Sequence, residues 1–355
     1  MANHLHKMKS IYFGGNFLSK PTGITSVWEE LSVLFISNSW IVTRASHYLN
    51  RVLRMIDFIW TAISKRNQYQ VAAVEVYSFL AFRWAELLCL VLKVLKKPYV
   101  VTLHGGRLPE FAQKFPGKFR KFISAATVVT TPSKYLMEKF LPIRQDIKYI
   151  PNGLELIRYP YSAQSTLEPH LIWQHSFHKI YNPTMAVEVL LKLLEDFPDA
   201  KLTMIGPNKK DGSFEEVVSL IEQNQISNRV EFTGRIEKAK VGEFLSQGSF
   251  FINTTNYESF GVSVLEAAAC GLCIIATNVG EIPYMWKDGT DAVLVPPNAP
   301  IAMAEVIKSI LHNPDLFYSL RANARKKAEN YDWSLIFPVW ENMIKQLIEE
   351  HHERF

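Results

Sequence analysis

Short β-branched and aromatic runs recur along the whole chain, each followed by an amphipathic stretch of helical length, and the pattern restarts at mid-chain. A run such as QVAAVEVY (70–77) is apolar at consecutive positions, as a strand covered on both faces must be. Parallel strands of that kind need crossover helices between them. The first half predicts strands at 10–15, 39–45, 70–77, 98–104, 126–132 and 147–152, and the second at 170–176, 201–207, 229–234, 249–255, 272–278 and 292–297. The segment PNGLELIRYPYSAQSTLEPH (151–170) between them is rich in turn formers and poor in periodicity. These features predict an N-terminal domain over 1–155, a linker over 156–169 and a C-terminal domain over 170–332. A helix over 333–355 would pack back across the linker. Two doubly wound sheets place one ligand-binding edge on each side of a cleft.

The 355 residues suffice for about two domains. Cys89, Cys270 and Cys273 are too few for a disulfide framework and fit a reducing cytoplasm. Cys270-x-x-Cys273 reads as core packing, since it enters a buried-type strand and no second pair exists. The N-terminus lacks a signal-type apolar run. The longest apolar candidate, 71–95, is broken by Glu75, Arg83, Glu86 and Lys93, so neither secretion nor a membrane span is expected.

Charge is divided unevenly. Residues 1–160 hold 22 Lys and Arg against 9 Asp and Glu, and the remainder 17 against 25. In KFPGKFRK (114–121), Phe115 and Phe119 interleave with four cations, which suits an anionic membrane surface or a solvated helix face. No recognition motif for nucleic acid accompanies it. Trp60, Trp84 and Trp340 fall on apolar helical faces and read as core or interface.

The strongest chemical signal lies in SFFINTTNYESFGVSVLEAAACGLCIIA (249–276). A buried-type strand runs through a polar loop into an apolar helix, with Gly261 at the junction, and such a helix start offers free N–H groups and a positive dipole end to a phosphate. Glu258 before the helix and Glu266 within it could accept hydrogen bonds from sugar hydroxyls.

The stretch ESFGVSVLEAAACG (258–271) resembles the C-terminal signature of the family 4 retaining glycosyltransferases, whose fold is GT-B: α/β, two doubly wound Rossmann-like domains facing a central cleft. PTGITSVWEEL (21–31), VVTLHGGR (100–107), TTPSKYLMEKF (130–140), IPNGLELIRY (150–159), LTMIGP (202–207) and VEFTGR (230–235) are similar to further motifs of that family, in the same order. The resemblance implies that the Rossmann-like domain over 1–155 binds the acceptor and the one over 170–332 the nucleotide sugar, where Glu266 binds the donor ribose and Glu258 the transferred sugar. Backbone N–H groups of Phe260, Gly261 and Val262 would hold the diphosphate or sugar, and Gly23 would admit the donor phosphate. His104 would contact the sugar near the reacting carbon, while Thr233 and Gly234 would line the base pocket. It implies no cofactor beyond the donor, with a UDP-sugar first among candidates, and an acceptor that is a glycan or lipid-linked. Retention implies attack on the same face. The expected setting is cell-surface polysaccharide synthesis in the cytoplasm, peripheral on the inner membrane face.

The sequence departs from the family pattern at two places. HSFHKIYNP (175–183) offers His175 where an Arg is usual, although Lys179 keeps the second basic position, and Thr22 stands where many relatives have a second Gly. Imidazole cannot grip phosphate as a guanidinium does. Three resolutions follow: a protonated His175, a charge supplied by Arg235 or Arg107, or low donor affinity. No Asp-x-Asp pair occurs, so no metal clamp for the diphosphate is expected. An inverting route would need a base, for which His104 and Glu110 are candidates. Rival readings are an epimerase or phosphorylase on the same fold, and a non-catalytic nucleotide- or glycan-binding subunit.

Overall fold

The computed structural model describes residues 9–22, 25–161 and 166–354. The chain forms two compact units, Met1–Gly153 with Trp333–Phe355, and Leu154–Asp332. Residues 156–161, expected in a linker, belong to the second unit, where Tyr159 is buried in the core. The terminal helix Trp333–Arg354 belongs to the first.

The first unit contains a six-stranded parallel sheet of β1 (Ser10–Gly14), β2 (Ile41–Ala45), β3 (Val71–Val76), β4 (Tyr99–Leu103), β5 (Val128–Thr131) and β6 (Lys148–Tyr149), in the order β2-β1-β3-β4-β5-β6. All residues of β1, β3 and β4 are buried, because helices cover both faces. The side chains divide with period two. Tyr12, Val74 and Val76 join one apolar cluster with Phe82 and Phe119, whereas Ile11, Phe13, Ala73 and Val100 join another with Trp28, Phe35 and the terminal helix. There Trp340 meets Trp28 edge-on at 5.9 Å and Phe337 meets Phe35 at 5.1 Å. Trp333 Nε1 donates to Glu30 Oε2 (3.2 Å) and Trp40 Nε1 to Glu341 Oε1 (3.0 Å), so the returning helix is tied by polar contacts as well as apolar ones.

The second unit repeats the plan with β7 (His170–Gln174), β8 (Lys201–Ile205), β9 (Val230–Gly234), β10 (Phe250–Asn253), β11 (Cys273–Thr277) and β12 (Val293–Val295), ordered β12-β11-β10-β7-β8-β9 and parallel throughout. Cys270 and Cys273 are both free and buried, and lie in the clusters on opposite faces of this sheet. In each sheet the chain reverses its direction of travel at one point, between β1 and β3 in the first and between β7 and β10 in the second. The carboxyl ends of the strands flanking such a reversal form a ligand crevice in open α/β sheets.

Candidate functional site

At the reversal in the second unit, β7 delivers Gln174 and His175, and β10 leads through the loop 254–261 into the helix Val262–Ala269. Gly261, at φ +89°, turns the loop into that helix. Glu266 is buried on the inward side of the helix and is held by three groups. The Tyr159 hydroxyl donates to Oε1 (2.9 Å), Gln174 Nε2 donates to Oε2 (2.8 Å), and the Lys238 ammonium pairs with Oε1. Its carboxylate is therefore oriented before any ligand arrives.

Glu258 is buried as well. Its Oε1 accepts from Ser259 N (3.0 Å) and Phe260 N (3.4 Å), so the N–H of Phe260, expected to serve the diphosphate, is directed onto this carboxylate. Oε2 has no hydrogen-bond partner among the described residues. Burial raises the Glu258 pKa, against the opposing pull of the loop N–H groups. Gly280, at φ +54°, fits against this loop because a Cβ there would lie 1.9 Å from the Glu258 carbonyl oxygen. Glu281 N donates to that same carbonyl (3.1 Å).

His175, at the position where the family usually has Arg, is packed against the helix start. Its ring stacks on Tyr181 (4.3 Å, 11°) and Nε2 lies 3.3 Å from the Ser263 hydroxyl in the first turn of the helix, and burial pushes its pKa down to about 3. At neutral pH that burial leaves it an uncharged contact to the helix start. Lys179 projects to the surface, where Nζ is 3.2 Å from Glu216, rather than to either carboxylate. Arg235 is exposed, as is Arg107, which pairs with Glu110 (3.0 Å). Among the described residues, the cation paired with Glu266 is Lys238. Thr233 and Gly234 end β9 at the sheet edge, and the Gly234 carbonyl accepts from Gly206 N (2.9 Å).

In the first unit, His104 follows β4 beside Glu75 and Tyr77 of the neighbouring strand end. His104 Nε2 lies 3.9 Å from Glu75 Oε1 and its ring stacks on Tyr77. Glu75 accepts from Asn16 N (3.0 Å) and from the Tyr77 hydroxyl (3.0 Å). Burial pushes Glu75 up to about 7 and His104 down to about 4. Gly23 lies outside the described residues. Among the described residues no group of three His, Cys, Asp or Glu side chains is placed to hold a metal, and no helix is long and apolar enough to cross a membrane.

Tyr159, Gln174, Lys238 and Glu75 were not singled out as site residues by the sequence. Tyr159 closes the IPNGLELIRY motif, which marks its segment though not its role.

Residues 168–330 match the model of the family described as glycosyl transferases group 1. Most of the second unit thus resembles a glycosyltransferase group 1 domain. Over the longer chain, an alpha-monoglucosyldiacylglycerol synthase of Acholeplasma laidlawii is 22% identical over 350 residues, spanning 89% of this chain and 84% of that protein. The sucrose-phosphate synthase of Thermosynechococcus elongatus superposes with a TM-score of 0.77 at 17% identity, over 96% of this chain and 100% of that one. Anabaena HepE, solved with UDP and glucose, gives 0.73 at 14% identity over 95% and 99%. The fold is GT-B, and together these matches support a glycosyltransferase.

Proposed function

We propose that the chain is a retaining glycosyltransferase that moves a sugar from a UDP-sugar to a glycan or lipid-linked acceptor in cell-surface polysaccharide synthesis, without a metal and at the inner membrane face. The observation that carries this reading is the oriented carboxylate of Glu266 at the strand-order reversal, one turn into the helix that follows Gly261. It supports a ligand with adjacent hydroxyls, as the ribose of a nucleotide has. Solved HepE, which shares this fold, holds UDP and glucose.

In the proposed reaction the bond from the sugar anomeric carbon to the donor phosphate oxygen breaks, and a bond from that carbon to the acceptor oxygen forms on the same face. The acceptor proton passes to the departing phosphate oxygen. Glu266 fixes the ribose and Glu258 fixes the sugar hydroxyls. Lys238 and the first-turn N–H groups of the helix offset the growing diphosphate charge.

The test is titration calorimetry with UDP, combined with an assay of UDP release from UDP-sugars in the presence of EDTA. Wild-type protein should bind UDP and, with acceptor lipid extract, release it with the anomeric configuration kept in the product. Glu266→Gln should lower UDP affinity by at least about 100-fold with its melting temperature preserved. Unchanged affinity in that variant would refute the site. Binding without release under every sugar and acceptor would leave a nucleotide-binding subunit.

A further inference from the structure

Helices normally turn their apolar side inward and their polar side to water. Two neighbouring helices of the first unit, Arg51–Ser64 and Leu80–Val94, carry apolar residues on both sides. On the first, Phe58 and Ala62 face the core, while Val52, Leu53, Ile56, Trp60 and Ile63 are exposed, with Trp60 at 68%. These five recur at spacings of one, three and four residues and so share one outer face. On the second, Phe82, Leu88 and Leu92 face the core. Leu80, Leu87, Leu90 and Val94 form an outer stripe, with Val94 at 75% exposure. Isolated exposed apolar residues are ordinary, but nine of them in two stripes on the outer sides of two packed helices mark an interaction site.

Charge selects the occupant. The exposed cations Arg51, Lys65, Arg66, Arg83, Lys93 and Lys96 belong to these helices or to their immediate ends. Both acidic residues of the pair are engaged. Asp57 accepts from the Thr61 hydroxyl (3.2 Å), and Glu86 pairs with Arg83 (3.3 Å) and Lys118 (2.9 Å). A second copy docking by this face would bring two sets of like charge together, which opposes self-association. An anionic lipid surface offers the opposite charge and an apolar layer for Trp60 and the Leu stripe.

We infer that the outer face of these two helices is the membrane-docking surface of the protein, seated in the headgroup region of an anionic phospholipid bilayer. This rests on the proposed peripheral placement and goes beyond it by assigning the surface. The segment 114–121 is a charged flank rather than the anchor, because Phe119 is fully buried and only Phe115 of its aromatics reaches the surface.

Sedimentation with vesicles of phosphatidylcholine alone, or with three-tenths phosphatidylglycerol, tests this with full-length protein. Wild type should bind the anionic vesicles, and bind them more weakly in 0.5 M salt. Trp60→Ser/Leu90→Ser, which leaves the charge unaltered, should lower the partition coefficient at least about tenfold with melting temperature and UDP affinity unchanged. Ile56→Ser/Val94→Ser should do the same at independent positions. Lys114→Glu/Lys121→Glu separates the two claims: loss of binding there, with both serine pairs binding like wild type, overturns the assigned face while peripheral placement stands. No sedimentation of wild type with anionic vesicles overturns both. Light scattering that shows a dimer dispersed by Trp60→Ser/Leu90→Ser would give the face to a second copy and overturn the inference.

Discussion

His175 illustrates how a single residue departs from its expected role for a physical reason. Stacked on Tyr181 and buried, it is neutral in the folded chain, with its pKa held at about 3 against about 6.5 when unfolded. Because the folded value is depressed, the unfolded chain binds the extra proton between those limits. Stability from this residue is complete above pH 6.5 and is lost as pH falls toward 3, at up to about 1.4 kcal/mol per pH unit. Urea unfolding at pH 7, 6 and 5 should show a shallower acid loss in His175→Phe than in wild type, and equal slopes would mean that His175 titrates freely. Lys238 acts on the same cluster by a different route. Replacing it with Met leaves the Glu266 carboxylate buried without its cation and should cost about 2 kcal/mol in a thermal melt. Adding Glu266→Gln should restore part of that loss, a non-additivity measurable in a double-mutant cycle.

Elements were more legible than side-chain partners. Each of the twelve strands lies within the run that predicts it: central strands covered on both faces stand out by successive apolar residues, and edge strands such as the partly exposed β9 by β-branched or aromatic residues bounded by turn formers. The helix start at Gly261 and the carboxylates around it were legible for a similar reason: loop, glycine and helix are consecutive in the chain. The groups that hold Glu266 were not, since Lys238, Gln174 and Tyr159 lie 28, 92 and 107 positions away and only the folded sheet assembles them. The sequence marks Trp60 as core or interface without deciding between them, because periodicity shows that a helix has an apolar stripe without showing which stripe is inward. Loop contacts at this scale give a further prediction. Gly280→Ala would place a methyl against the Glu258 carbonyl at positive φ, and should destabilise the second unit by more than about 2 kcal/mol in denaturant unfolding. A milder effect would mean that the 278–281 loop yields.

At the scale of the whole molecule, the two units are unequal in how they are closed. The second, Leu154–Asp332, is one continuous stretch with clusters on both faces of its own sheet. The first is completed by residues 180 positions away, since Trp333 to Ile348 cover one face of its sheet beside Trp28 and Phe35. A fragment 154–332 should therefore melt cooperatively by itself. Residues 1–153 without the terminal helix would expose that apolar face, and should be cleaved by protease under conditions that leave the full chain intact. Comparable resistance in the truncated unit would show the helix to be dispensable.

That discontinuity fixes an order of events during synthesis. A ribosome delivers the first six strands before the second unit, yet the helix that covers them is made only after it, so the nascent chain must carry an open sheet face while the whole of the second unit emerges and folds. Translation pausing, or a chaperone able to shield Ile11, Phe13 and Phe35 in the interval, would thus govern the yield of the first unit, whereas the yield of the second depends on its own residues alone.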